Sequence, residues 1–288
     1  MKILPLINIY ANPTIDKIVF QWDSVVRCGG PGYYAGLGLR ELGLNARLRV
    51  FGCHGGEKIV LEGYKEVKAE LVEPPRQLAS TTSFLLDYRT SERRMYLLNF
   101  CGPIGYVEEG DIAIVSPVYH EISNELLEYI YRVHSIVVID GQGFARRTLS
   151  NGLVTSGDID LDWFTKAVAL KVSIEDVRQP LQLIKLALRR DINLVLTRGY
   201  EGVIVVHRGR IYMSRAVGPK AKDPTGLGDI FTTLLAIKVY ENSNLLEAIA
   251  TAIKGVGEYV CKCKLDEEPQ LQQVSLGTLD KVLSNDRK

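Results

Sequence analysis

A doubly wound α/β fold is what this sequence predicts, with a mostly parallel sheet covered by helices on both faces. Three observations predict it. Short, continuous apolar runs recur along the chain, the later ones end in Gly, Ser, Thr, Asp or Pro, and helical patterns separate many of them. A strand buried on both faces has no polar side to show, and parallel strands need helical crossovers. The chain has 288 residues, 46% of them hydrophobic, enough to bury such a sheet in one large domain spanning residues 1–288.

The elements follow in order. Residues 3–10 are apolar and rich in β-formers. Pro5 and Asn8 lie in this opening stretch, which lacks a small-residue cleavage site, so a buried strand is expected rather than a leader peptide. Residues 33–42 predict a helix with Tyr34, Leu37 and Leu42 inward. Residues 46–53, 111–118, 135–140, 167–172 and 193–197 predict further strands. Two regions break the pattern. Residues 81–88 and 94–100 alternate polar and apolar, and Arg89-Thr90-Ser91-Glu92 between them predicts a hairpin. With a strand at residues 17–22, they predict a small second sheet over the main one, its strands within about residues 13–24 and 80–101. Residues 202–207 and 210–215 predict another hairpin, turned at Arg208-Gly209.

The most informative segment for chemistry is Asp223-Pro224-Thr225-Gly226-Leu227-Gly228-Asp229, followed by the apolar positions Ile230, Phe231, Leu234 and Leu235. That spacing predicts a buried helix starting near Gly226. Two glycines one residue apart let a ligand approach the backbone. The unpaired N–H groups and the dipole of a helix start favour an anion there. A carboxylate beside an anion site makes sense if Asp229 takes a proton from a hydroxyl attacking phosphorus. Ordinary capping of an Asp- and Gly-rich helix start is the competing reading of the loop alone.

The wider chain resembles the ribokinase-like (PfkB) carbohydrate kinases. Asp223 to Phe231 is similar to that family's D-[TP]-T-G-A-G-D-x-F signature, with Leu227 in place of Ala. Gly29-Gly30-Pro31, Tyr33-Tyr34-Ala35 and Leu42-Gly43 resemble its N-terminal signature. Asn12-Pro13-Thr14-Ile15-Asp16, Thr81-Thr82-Ser83-Phe84 and Leu196-Thr197-Arg198-Gly199-Tyr200-Glu201-Gly202 resemble further family segments in the same order. Asp140-Gly141-Gln142-Gly143-Phe144-Ala145-Arg146, Lys171-Val172-Ser173 and Cys101-Gly102-Pro103 resemble a mainly archaeal branch that includes myo-inositol kinases.

The resemblance implies a three-layer α/β/α sandwich with a small β-sheet lid. It implies ATP-dependent phosphorylation of a hydroxyl on a small polyol, a sugar or a cyclitol such as myo-inositol. Asp229 would be the base, and the amides of Gly226, Leu227 and Gly228 the anion hole. Asp16, Gly29, Gly30, Tyr33 and Gln142 would hold the acceptor, although Gln142 and Arg146 are equally readable as caps of a strand-to-helix loop. Ser173, Thr197, Gly199 and Gly202 would contact the nucleotide. Mg²⁺ would bridge the ATP phosphates, with Asp176 acting through water. Here the sequence departs from the family, since Ser173 replaces its Asn and Glu175 stands beside Asp176. Two alternatives stay open: a nucleoside or phosphosugar kinase of the same family, the latter served by Arg27, Arg93 and Arg94, and a non-catalytic sugar- or nucleotide-binding protein.

Charge and cysteines exclude other classes. Lys and Arg total 35 against 34 Asp and Glu, so no basic excess marks a nucleic-acid partner. No apolar run is long enough to span a bilayer. The five cysteines form no CxxC pair, and free thiols in a reducing cytoplasm are the expectation. A homodimer paired through a lid strand is left open. Gly36-Leu37-Gly38 with Gly43 fails the dinucleotide spacing, no phosphate loop of the G-x-x-x-x-G-K-[ST] type exists, and the four histidines form no metal pattern.

Overall fold

The computed structural model describes residues 4–76, 79–89, 94–241 and 244–285. In chain order the elements begin with β1 (Leu6–Tyr10), β2 (Thr14–Val19), β3 (Ser24–Gly29), α1 (Pro31–Glu41), β4 (Arg47–Phe51), α2 (Lys58–Glu66) and β5 (Ala69–Leu71). Next come β6 (Thr82–Asp87), β7 (Arg94–Asn99), β8 (Ile112–Val115), α3 (Asn124–Val133), β9 (Ile136–Asp140), α4 (Gln142–Ala145), β10 (Arg147–Thr148) and β11 (Val154–Thr155). The last are β12 (Ala169–Ser173), α5 (Pro180–Arg189), β13 (Leu194–Thr197), β14 (Val203–His207), β15 (Arg210–Ser214), α6 (Leu227–Tyr240), α7 (Leu245–Cys261), β16 (Gln272–Val274) and α8 (Leu276–Asn285).

Among the described residues the main sheet has ten strands, in the order β16-β15-β14-β13-β12-β9-β8-β1-β4-β5. From β5 to β13 all neighbours are parallel. The hairpin β14–β15 then extends the edge antiparallel, and β16 closes it. The second sheet runs β3-β2-β6-β7, with β2 and β6 parallel and both outer pairs antiparallel.

Alternation along the parallel strands splits the core into two layers. Ile112, Ile114, Val138 and Val195 face α1, α2, α6 and α7. Ala113, Val115, Val137, Ile139, Leu194 and Leu196 face α3, α5 and α8. Successive side chains of a strand point to opposite faces, so apolar runs without alternation bury both. Local signals set the helix ends. Pro31 opens α1 with its fixed φ, and Gly43 follows it at φ 68°. The Ser123 hydroxyl accepts from the Leu126 amide to cap α3, and the Asn244 side chain accepts from Glu247 to cap α7.

Several expectations need correction. The strand expected at residues 17–22 lies at Thr14–Val19, where it pairs with β6 from Thr14↔Thr82 onward, leaving Trp22 in solvent. Its partner β3 was not foreseen, because its outer half is exposed and shows no burial pattern. The inner face of α1 is carried by Tyr34, Ala35 and Leu39. Its glycines serve packing: a Cβ on Gly36 would meet Val67, and one on Gly38 would meet Ile230 of α6 at 2.9 Å. Thr90, Ser91 and Glu92 of the expected hairpin turn lie outside the described residues, as do Ile3 of the first strand and Arg93.

The cysteines also depart from the expectation. Cys53 pairs with Cys101, and Cys261 with Cys263, leaving Cys28 free and buried. The first pair joins the segment after β4 to the segment leaving β7, 48 residues on. Such proximity depends on sheet order, which cysteine spacing does not reveal. Buried Asn12 binds the same junction, accepting from the Cys53 amide and donating to the Gly102 carbonyl. No helix among the described residues is long and apolar enough to cross a membrane.

Candidate active site

The N-terminus of α6 is shaped by its loop. Asp223 accepts from the Thr225 amide at 3.0 Å and from its hydroxyl at 2.6 Å, closing the approach to the helix. Burial works against this carboxylate, but those two bonds and Arg27 hold it below the usual range. Gly226 is left-handed at φ 81°, and a Cβ there would overlap the Tyr34 ring at 2.1 Å. Leu227 turns its N–H back to the Pro224 carbonyl at 3.2 Å. Gly228 and Asp229 follow as the second and third helical residues, whose amides have no acceptor inside the helix.

Asp229 stands in that first turn at the mouth of a charged cluster. Gln142 lies 3.5 Å from its Oδ1 through Nε2, and the Arg146 guanidinium donates to Gln142 Oε1 at 2.8 Å. Behind Gly228, the Lys171 ammonium bonds Asp140 at 2.7 Å, and both side chains are buried. Burial pushes the Asp229 carboxyl up to about 7, helped by the negative charge of Asp140 and opposed by Lys171 and Arg146. A carboxyl poised near neutrality suits a general base.

The opposite wall comes from the second sheet. Asp16 on β2 is buried and accepts from the Thr14 hydroxyl at 2.9 Å. Burial raises it to about 6, against the pull of Thr14, Arg27 and Arg146. Gly29 pairs with Thr14 across β2 and β3, and a Cβ there would meet the Asp16 carboxylate at 2.3 Å. Gly30 is left-handed at φ 92°, packed on the Asn12 carbonyl and the Tyr64 hydroxyl. Tyr33 packs on Tyr34 and Tyr64, toward α2. Tyr34 instead carries its ring against Gly226, and its buried hydroxyl has no hydrogen-bond partner among the described residues. Arg27 of β3 reaches Asp223 at 2.8 Å, fastening the small sheet to the α6 loop.

The remaining predicted residues gather where the parallel strands end. Ser173 and Thr197 are register partners at the C-terminal ends of β12 and β13. Gly199 has φ 53° with open space around its Cα, and Gly202 has φ 99° against the Ser214 carbonyl. This edge of an open parallel sheet is where such folds take ligands. The Ser173 hydroxyl accepts from the Glu175 amide at 3.4 Å, capping the turn that holds Asp176. Asp176 is 3.4 Å from Arg146. Among the described residues no three His, Cys, Asp or Glu side chains cluster as a metal cage. One carboxylate of this kind fits a hydrated Mg²⁺ that arrives with donor phosphates.

The predicted set thus divides. Asp229, Gly226, Gly228 and Gln142 adjoin one another, Asp16, Gly29 and Gly30 form the facing wall, and Tyr33 stands apart from both. Four residues join the site in ways the sequence does not indicate. Tyr34, readable from sequence either as core or as an aromatic face for a ring substrate, packs on Gly226, and Arg27 pairs with Asp223 across the two sheets. Lys171 does leave a mark, as a lone cation in the apolar strand Ala169-Leu170-Lys171-Val172.

The sequence matches no protein-family model and no curated protein. Solved structures do resemble it. A pyrophosphate-dependent kinase of the ribokinase family, complexed with a pyrophosphate analog and myo-inositol, superposes with a TM-score of 0.74 at 17% identity, covering 96% of this chain and 99% of that one. An Arabidopsis thaliana ribokinase bound to ribose and ATP gives 0.67 at 12% identity, covering 90% and 93%. The Methanocaldococcus jannaschii nucleoside kinase, an archaeal member of the ribokinase family, gives 0.66 at 15%, covering 89% and 92%. The chain has the ribokinase-like fold.

Proposed function

We propose that this chain is a kinase that phosphorylates a hydroxyl of a small neutral polyol, a sugar or a cyclitol such as myo-inositol. The observation that carries this reading is Asp229, a carboxyl pushed up to about 7 in the first turn of α6. Asp229 accepts the proton of the attacking hydroxyl, and the amides of the α6 start stabilise the phosphoryl oxygens. Asp16 and the Gly29-Gly30 backbone hold further hydroxyls, and Gln142 orients the base. Mg²⁺ near Asp176 would neutralise donor phosphate charge. The small sheet would act as a lid that keeps water from competing as acceptor.

The acceptor wall supports a neutral substrate. It presents Asp16, Asp223 and Asp229, and Arg27 is already paired with Asp223. A phosphosugar would need an unpaired cation there. The donor we propose is ATP with Mg²⁺, lying along Ser173, Thr197, Gly199 and Gly202. Pyrophosphate is the second reading, favoured by its use in the structural neighbour that also holds myo-inositol.

The test is phosphate transfer from ATP·Mg²⁺ or pyrophosphate to myo-inositol, ribose, fructose, fructose 6-phosphate and adenosine. Each reaction runs beside Asp229→Asn. We expect transfer to a neutral polyol, with kcat falling about 10²–10⁴-fold in the variant, the usual worth of a general base. Transfer only to fructose 6-phosphate would overturn the acceptor class. Near-normal turnover in the variant would overturn the base.

A further inference from the structure

Lys171 has a role that the proposed chemistry above does not assign. It sits in the middle of β12 between Leu170 and Val172, both fully buried. Only 3% of its side chain is exposed, so the ammonium is shielded from solvent. Its register partner across the parallel pair is Asp140, whose carboxylate it bonds at 2.7 Å. A Cβ added to Gly228 would lie 2.6 Å from its Nζ, which puts the ammonium directly behind the turn that carries Asp229.

A buried lysine with one carboxylate partner is explained by that partner alone. This pair does more, because a second carboxylate shares the cation. Burial alone would strip the proton from Lys171, yet Asp140, Asp229 and Asp176 together keep it charged. Seen from Asp229, Asp140 on β9 and Asp16 on β2 oppose ionisation, whereas Lys171 and Arg146 favour it; Tyr34 of α1 and Tyr64 of α2 face it as neutral phenols, whose own ionisation the Asp229 charge disfavours. Lys171 is the more buried of those two cations, with 3% of its side chain exposed against 11% for Arg146.

We propose that Lys171 is a positioning residue whose ammonium, held by Asp140 behind Gly228, sets the pH at which Asp229 becomes a base. The proposal rests on the kinase reading of the same site. Lys171 acts as a fixed charge and forms no bond to the substrate. Asp140 tunes the same equilibrium in the opposite sense.

The test is the acidic limb of kcat against pH in Lys171→Met, Asp140→Asn and the double variant. The 13C titration of the Asp229 carboxyl is read on the same proteins, assigned by its loss in Asp229→Asn. Removing an opposite charge at this range moves a carboxyl by about one unit or more. The limb should therefore move up in Lys171→Met, with about tenfold less activity below it and recovery above it. In Asp140→Asn it should move down, and the double variant should fall between. A purely structural lysine would lower activity at every pH and leave the limb where it is, which overturns the proposal. If Lys171→Met does not fold, Asp140→Asn decides, since an unmoved limb there also overturns it. A wild type without Asp229-dependent transfer would sink the kinase reading, and the carboxyl titration would still decide the role of Lys171.

Discussion

At the residue scale, Asp229 sets function against stability. Its carboxyl is raised from the usual range to about 7 because the folded protein buries it beside Asp140. Folding therefore favours the protonated form. The group's stabilising contribution is complete below pH about 4 and is lost as pH rises toward 7. Asp16, raised to about 6, acts in the same direction. Asp229→Asn should accordingly be more stable than wild type at pH 8, by roughly 2–4 kcal/mol, with the gain vanishing near pH 4. Urea midpoints at the two pH values check this, and equal midpoints at pH 8 would contradict it. Turnover should move the other way, rising as pH passes through about 7 and Asp229 ionises.

The α6 N-terminus is the element on which this chemistry depends, and its two glycines differ in what they permit. Gly226 combines a left-handed φ with a ring 2.1 Å from where a Cβ would stand. Gly226→Ala should destabilise by about 1–3 kcal/mol through backbone strain alone, and the Tyr34 clash adds to it. At Gly228 the obstacle is the tip of the Lys171 side chain, 2.6 Å away, with ordinary helical backbone. Gly228→Ala should leave the melting temperature much closer to wild type while lowering turnover, because its methyl group displaces the Lys171 ammonium behind the turn. Melting curves and kcat separate the two. A larger stability loss at Gly228 than at Gly226 would refute this account of the turn.

At the scale of the whole molecule, specific joints fasten the four-stranded sheet to the ten-stranded one. Arg27 links β3 to Asp223, Asn12 bridges the Cys53 and Gly102 backbones, and the Cys53–Cys101 disulfide closes a 48-residue loop between the sheets. In the chain-entropy account a loop of that length is worth about 4 kcal/mol, and removing native disulfides commonly costs about 2–5 kcal/mol. Reductant, or Cys101→Ser, should therefore lower the denaturation midpoint by a comparable amount. Unchanged midpoints with and without reductant would argue against a stabilising role for this bridge.

The sequence alone determined the parallel sheet and the turn that opens α6. Buried strands and helix starts leave local marks: unbroken apolar runs, the Gly226-Leu227-Gly228-Asp229 spacing, and the apolar rhythm of Ile230, Phe231, Leu234 and Leu235. Tertiary structure alone decided which residues meet. It placed Tyr34 rather than Tyr33 against Gly226, brought Cys53 to Cys101, paired β3 with β2, and set Lys171 of β12 between Asp140 of β9 and the first turn of α6. Each of those contacts joins segments that are distant in the chain or that carry no periodic mark. Such contacts follow from strand order and register, which act over the whole sheet and leave no trace in the spacing of residues along one segment.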